Sequence, residues 1–156
     1  MIKSRKVAFI FKRGRKSRLN QGAIFDNFPS DFFYGYIELK AQGFPVDILD
    51  EDDLNINMTA NYILRVINHF TYYLFGLNFQ YISLLSQRKN LHKLNQFSEL
   101  VVTTNVLGLT FAFMKKIGLL KPKIIIIGMG LGDLMNNKVR KWFLEKLLRS
   151  ITTLLI

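Results

Sequence analysis

The sequence predicts an α/β fold: a Rossmann-like, doubly wound, mainly parallel sheet with helices on both faces. Three observations point to it. Lys123 to Asp133 reads KIIIIGMGLGD, in which four consecutive β-branched isoleucines with no polar alternation stop at a glycine run. A strand buried on both faces and ending in a loop carries this pattern, as central parallel strands do. Shorter apolar runs at Val7–Phe11, Val46–Leu49 and Leu100–Thr103 are separated by segments with helical spacing, the alternation of βαβ units. Helix stops and caps fall between them, with Gly43 and Gly118 as stops and Thr104 and Asn105 as caps. Crossovers of one hand that reverse direction after the first unit make the strands at Val7, Leu100 and Ile124 neighbours, with Val46–Leu49 on the other side of the first. Ligands of such sheets gather outside the carboxyl ends of the strands, so the site is expected there.

Taken in order, the first strand opens into Lys12–Gly22, a loop dense in Arg and Lys with glycines at both ends. At a carboxyl edge this loop can hold phosphate through Arg15 and Arg18 together with backbone N–H groups near Gly14. It lacks the three closely spaced glycines of the dinucleotide fingerprint, so neither a nicotinamide nor a flavin cofactor is expected. Pro29, Ser30 and Asp31 precede a helix over Phe32–Gln42, closed by Gly43, in which Phe33, Tyr36 and Ile37 pack inward. After the second strand come Asp50, Glu51, Asp52 and Asp53. An acid here can bind a ribose hydroxyl or pair with Arg15 or Lys16 across the edge. A metal site has no histidine or patterned spacing to support it.

Asn57–Gln87 predicts one long helix, or two joined near Gly76. Ile63, Ile67, Phe70, Leu74, Leu77, Tyr81 and Leu85 recur every three to four residues as a core stripe, and Asn61, Arg65, Asn68, Ser83 and Gln87 fall opposite. Tyr72, Phe75 and Phe79 project away from that stripe. With Arg65, Arg88, Lys89 and Lys93 nearby they suit an anionic membrane surface, or burial under a loop. His69 and His92 have no Ser, Asp or Cys motif around them and are not expected to be catalytic. Val106–Lys116 is a buried helix. Asn136 or Asn137 caps a helix to about Arg149 that turns Val139, Trp142, Phe143 and Leu147 inward, and Ile151–Ile156 is one more strand. A domain seldom stops on an apolar strand, so the polypeptide is expected to continue or to be a cut piece.

Composition bounds the function. A chain of 156 residues that is 49% hydrophobic has the length for one domain and one core. The lack of cysteine removes disulfides and thiolate metal sites and suits a reducing, cytoplasmic setting. The apolar stretch within MIKSRKVAFIFKRGRK is too short for a signal-peptide core. Val66–Gln87 carries no formal charge but contains Asn68, His69, Asn78, Gln80, Ser83, Ser86 and Gln87, so no membrane-spanning helix is expected. A net charge of +11 attracts polyanions, and the cations cluster before Asp26 and again from Lys138 to Arg149; an ordinary solvated basic surface is the alternative. No nucleic-acid motif is present, and nucleic acid is not an expected partner.

Three segments carry a resemblance. FFYGYIELKAQGFPVDILD (Phe32 to Asp50), ELVVTTNVLGLTFAFMKKIGLLKPKIIIIGMGLGD (Glu99 to Asp133) and the closing basic helix with its apolar strand resemble the amino-terminal half of two-domain glycosyltransferases of the GT-B type, group 1 and family 4 like. The resemblance implies an acceptor-side domain facing a nucleotide-sugar domain across a cleft, with basic and aromatic helices that often dock on the inner face of a membrane. It implies acceptor-side loops at Gly14–Gly22, Thr104–Gly108 and Gly128–Asp133, hence substrate or phosphate contacts at Gly14, Arg15, Arg18, Thr104, Asn105, Gly128 and Gly130. The glycine pair of many retaining members is reduced here to Gly14, and the paired-glutamate motif of the donor domain is not in this sequence. The expectation is half an enzyme, silent alone, with nucleotide sugar and acceptor meeting it through a second domain; the sequence names no general base.

Overall fold

The computed structural model describes residues 6–20, 33, 35–56, 61–127, 135, 137–149 and 153–155. The strands are β1 (Val7–Ile10), β2 (Val46–Leu49), β3 (Glu99–Val102), β4 (Lys123–Ile127) and β5 (Thr153–Leu155). The helices are α1 (Arg15–Asn20), α2 (Tyr36–Ala41), α3 (Tyr62–Phe75), α4 (Phe79–Leu85), α5 (Arg88–Leu94), α6 (Asn105–Lys116) and α7 (Lys138–Leu148). All pairings are parallel and the sheet order is β2-β1-β3-β4-β5, a common doubly wound order. The expected neighbourhood of Val7, Leu100 and Ile124 is what forms: Val7 pairs with Glu99 and Leu100 with Ile124.

Side-chain alternation along the strands divides the core in two. Ala8, Ile10, Leu100, Val102, Ile124 and Ile126 face α4 to α7 and meet Leu85, Leu94, Leu109, Met114, Leu144 and Leu147. Phe9, Phe11 and Val101 face the other way, onto Phe33 and Tyr36, with edge-on rings at 5.8 Å for Phe11–Phe33 and 5.6 Å for Phe9–Tyr36. In β4 only Ile124 and Ile126 are fully buried; Ile125 and Ile127, on the thinner layer, are half-buried.

Several local expectations are corrected. Part of the basic loop is the helix α1, because Arg, Lys and Leu are good helix formers whatever their charge. The helix expected from Phe32 starts only at Tyr36, after Gly35 in the left-handed region at φ 85°. Its end is as expected: Gly43 at φ 79° donates to Lys40 O while Phe44 N donates to Leu39 O, the paired bonds of a Schellman stop. Gly118 closes α6 the same way.

The largest correction concerns the stripe from Ile63. The described part of Asn57–Gln87 forms two helices, α3 and α4, joined at Gly76 as the second alternative had it, with α5 following after Gln87; the difference is in the stripe, for no residue of α3 is buried. Ile63 is 66% exposed and Phe70 60%, whereas Leu77 and Leu85 are buried. The helical period is real, but the inward row of α3 is a different one: Leu64, Asn68, Thr71, Leu74 and Phe75 are its half-buried residues, Asn68 Oδ1 accepts from Gln80 N of α4 at 3.4 Å, and the Phe75 ring, expected to project outward, lies 5.0 Å from Phe143. In α7 the inward row is Phe143, Leu144 and Leu147, while Val139 and Trp142 face out. Lys146 lies 4.1 Å from the Trp142 ring, a cation–π contact that an exposed indole can make. Among the described residues no helix is long and apolar enough to cross a membrane.

Candidate functional site at the carboxyl edge

The sheet order reverses between β1 and β3, and the crevice of a doubly wound sheet opens there. Backbone bonds hold the strand ends together at this point. Phe11 N donates to Leu49 O at 2.9 Å, and Thr103 donates to Ile10 O through its amide (3.3 Å) and its hydroxyl (3.1 Å). Gly14 turns the chain from β1 into α1 at φ 84°, a left-handed conformation that side chains resist. Ser17 Oγ donates to its carbonyl at 2.9 Å. Arg15, half-buried, lays its guanidinium 5.9 Å from the ring of Phe11, which is wholly buried. Arg18 follows one turn later in α1; its side chain lies outside the described atoms.

Thr104, in extended conformation, is the residue before α6, and its carbonyl accepts from Gly108 N at 2.8 Å. Its hydroxyl is buried, makes no cap bond and has no hydrogen-bond partner among the described residues. Asn105 opens α6 beside it. Gly108 explains how α6 gets so close: a Cβ there would stand 2.7 Å from Ile126 Cγ2. Gly14, Arg15, Thr104 and Asn105 therefore converge on one edge, as expected. Gly128, Gly130 and the rest of Gly128–Asp133 lie outside the described residues, though Ile127 ends β4 on this edge.

The acid run after β2 closes one flank. Asp50 is buried, and its Oδ1 accepts from the amides of Asp52 (3.0 Å) and Asp53 (3.2 Å), an Asx-type turn. Lys16 Nζ donates to both oxygens of Asp53 at 2.6 and 2.9 Å, the pairing that the sequence suggested for this lysine. Arg13 pairs with Asp52 at 2.8 Å and donates to Ile56 O at 2.9 Å. Burial alone would raise the Asp53 pKa; the hydrogen bonds from Lys16 and the Asp50 amide, with the charges of Lys16 and Lys93, outweigh it and hold the carboxyl below its ordinary value. Tyr81 donates to Glu51 at 2.6 Å, and burial, that bond and the Glu51 charge push its hydroxyl well above the usual tyrosine range. Asp52 and Asp53 are thus bound to cations, Glu51 to a phenol and Asp50 to backbone amides of the chain itself.

No family model matches this chain, and no curated protein or solved structure matches it. Its chemistry is read from the site alone.

Sequence reasoning missed the supports of this flank. Asn90, buried within α5, donates to Leu54 O (2.7 Å) and Leu84 O (2.9 Å), and Lys93 Nζ donates to Asp53 O (2.9 Å). A polar residue between Leu84, Leu85, Leu91 and Leu94 was the available signal. The aromatic set lies elsewhere. Tyr72 and Phe79 are partly exposed and Phe75 is half-buried, while Arg88 and Lys89 are exposed on α5, the helix that packs beside the acid loop. The cation over Tyr72 is Arg140 of α7, at 5.4 Å. A hollow of about 580 Å³ is lined, among the described residues, by Tyr62, Arg65, Asn68, His69, Tyr72 and Asn78 with Val66, all from α3 and its turn into α4 and none from the sheet edge. Among the described residues no cluster of His, Cys, Asp or Glu could hold a metal.

Proposed function

We propose that this chain is the acceptor-binding half of a GT-B type glycosyltransferase, which moves a sugar from a nucleotide donor to a glycan, lipid or small acceptor, with the donor held by a second domain. The observation that supports this reading is the convergence of Gly14, Arg15, Thr104 and Asn105 at the β1/β3 switch point, while Arg13 and Lys16 are engaged by Asp52 and Asp53. In this reading Arg15, laid over Phe11, and Arg18, one turn later in α1, are the anion-binding pair. As the bond from the sugar to the leaving diphosphate breaks, negative charge grows on the phosphate oxygens, and guanidinium donors placed beforehand stabilise it. The chain by itself transfers no sugar in this reading. One wall of a cleft cannot align two substrates, and alignment contributes on the order of 7 to 11 kcal/mol in favourable cases. The test is calorimetric titration of wild type and of Arg15→Ala/Arg18→Ala with UDP and with inorganic diphosphate. Loss of binding in the variant is expected, and unchanged binding of both ligands sinks the reading.

A second reading, attachment to anionic membranes from the cytoplasmic side, is favoured by the face that α3 and α7 present. Tyr62, Ile63, Val66, Phe70, Tyr73 and Trp142 are all more than half exposed, and Arg65, Lys138, Arg140, Lys141 and Lys146 stand among them against one acid, Glu145. Interfacial aromatics and basic residues each favour a negatively charged bilayer surface, the latter by about 1 kcal/mol apiece. Flotation with anionic vesicles should recover the chain and fail at high salt; equal recovery with neutral vesicles, or none with either, removes this reading.

A further inference from the structure

Behind that face lies a groove that neither reading uses. Thr71 and Phe75 of α3, Leu77, Phe79 and Ile82 of the next turn and α4, Phe113 of α6 and Phe143 of α7 enclose about 300 Å³. Among the described residues no exposed polar atom lines it. Thr71 turns its hydroxyl away to donate to Asn68 O at 3.1 Å, so its methyl completes the apolar wall. The Phe75 and Phe143 rings, edge to face at 5.0 Å, form one side, and Phe79, 38% exposed, stands at the opening. A methylene is about the size of the ~30 Å³ share of one water molecule in the liquid, so the groove has room for one alkyl chain of roughly ten carbons and not two.

One cation, Arg140, stands near the groove without lining it. Arg140 lies one turn before Phe143 on the same face of α7, and its Cδ is 3.8 Å from where a Cβ of Gly76 would be, next to Leu77. Its Nε and Nη2 donate to Tyr73 O at 3.1 and 2.5 Å, which fixes the guanidinium at this place. Those bonds engage two of the five N–H donors of an arginine, and the others can meet an anion. An apolar slot with a fixed cation beside it suits an amphiphile whose chain is buried and whose head is negative.

We propose that the groove between Phe75, Phe79, Phe113 and Phe143 binds the alkyl chain of an anionic single-chain lipid, with its head group on Arg140. The site is separate from the sheet-edge crevice and does not depend on the transferase reading. Octanoate, nonanoate and decanoate below their micelle concentrations, with decanol as the uncharged probe, test it by calorimetric titration of the whole chain. Affinity should rise with each methylene, by up to about fourfold, and decanoate should bind more tightly than decanol. Arg140→Gln should weaken decanoate several-fold and leave decanol unchanged, and Ile82→Trp, which fills the groove, should abolish binding of both. Affinity independent of chain length, or unchanged in Ile82→Trp, overturns the groove as the site; equal weakening of decanoate and decanol by Arg140→Gln overturns the head-group assignment. Should Ile82→Trp not fold, a fatty acid with a nitroxide near its chain end gives the same decision on wild type. Broadening of the Leu77 and Ile82 methyl signals supports the site, and broadening confined to other methyls contradicts it.

Discussion

Replacing Gly108 by alanine probes the contact that brings α6 to the sheet edge. A Cβ at this position meets three atoms of one side chain, Ile126 Cγ2 at 2.7 Å and Cγ1 and Cδ1 at 3.2 Å, and Ile126 is wholly buried in β4. Cγ2 is fixed by the backbone and χ1, so it cannot swing clear as a long side chain could. Overpacking of this kind costs about 1 to 3 kcal/mol, and a 2.7 Å approach belongs in the upper half of that range. Exchanging glycine for alanine inside a helix returns about 1 kcal/mol. The net expectation is a loss of about 1 to 2 kcal/mol, or about 2 to 8 °C in melting temperature for a chain of this size. Thermal and urea unfolding measure it. Ile126→Val keeps Cγ2 and should keep the penalty, whereas in an Ile126→Ala background Gly108→Ala should become neutral or stabilising. A Gly108→Ala protein as stable as wild type, or an equal penalty in the Ile126→Ala background, refutes the close-approach reasoning.

Other expectations concern the acid loop. Because the folded-state pKa of Asp53 is depressed, its carboxylate adds stability that is present above the unfolded value of about 3.9 and is lost as pH falls through the folded value. Asp53→Asn should therefore be less stable than wild type at pH 7, and the gap should narrow as pH falls below the unfolded value; a gap that stays constant through the acid range contradicts this. Tyr81→Phe removes the 2.6 Å bond to Glu51 and should cost about 1.5 kcal/mol by urea unfolding, and no change would show that bond to be idle. Asn90→Ala leaves Leu54 O and Leu84 O without their shared donor; a loss of about 1 to 3 kcal/mol is expected, with faster amide exchange over residues 51 to 56 as its local signature, and unaltered exchange there counts against it.

The sheet was legible because its strands are buried: KIIII and the runs at Val7, Val46 and Leu100 have the residue types and lengths that only strands between two layers need, and the order followed from crossover rules. Helical period was equally plain in α3, but period says nothing about what covers a face. Ile63 and Phe70 have the spacing of core residues and stand in solvent because α3 turns Leu64, Asn68, Thr71 and Phe75 toward its neighbours instead. In α7 the inward row is Phe143, Leu144 and Leu147 rather than one that includes Val139 and Trp142; apolar residues fall on both sides of Phe143 in VRKWFLEKLL, and that pattern does not resolve which side turns inward. At the candidate site, Gly14, Arg15, Thr104 and Asn105 could be placed together because parallel strands share one carboxyl edge. Which cations the acids take depends on side-chain reach across β1 and β2, and there Lys16 meets Asp53 and Arg13 meets Asp52.

The central claim is an anion site at the β1/β3 switch point, and amide chemical-shift mapping tests it most directly. Titration of the isotope-labelled chain with UDP should move the signals of Gly14, Arg15, Thr104 and Asn105 saturably, inorganic diphosphate should compete, and both effects should vanish in Arg15→Ala/Arg18→Ala. Shifts that avoid these four residues, or that survive unchanged in the double variant, would contradict the account.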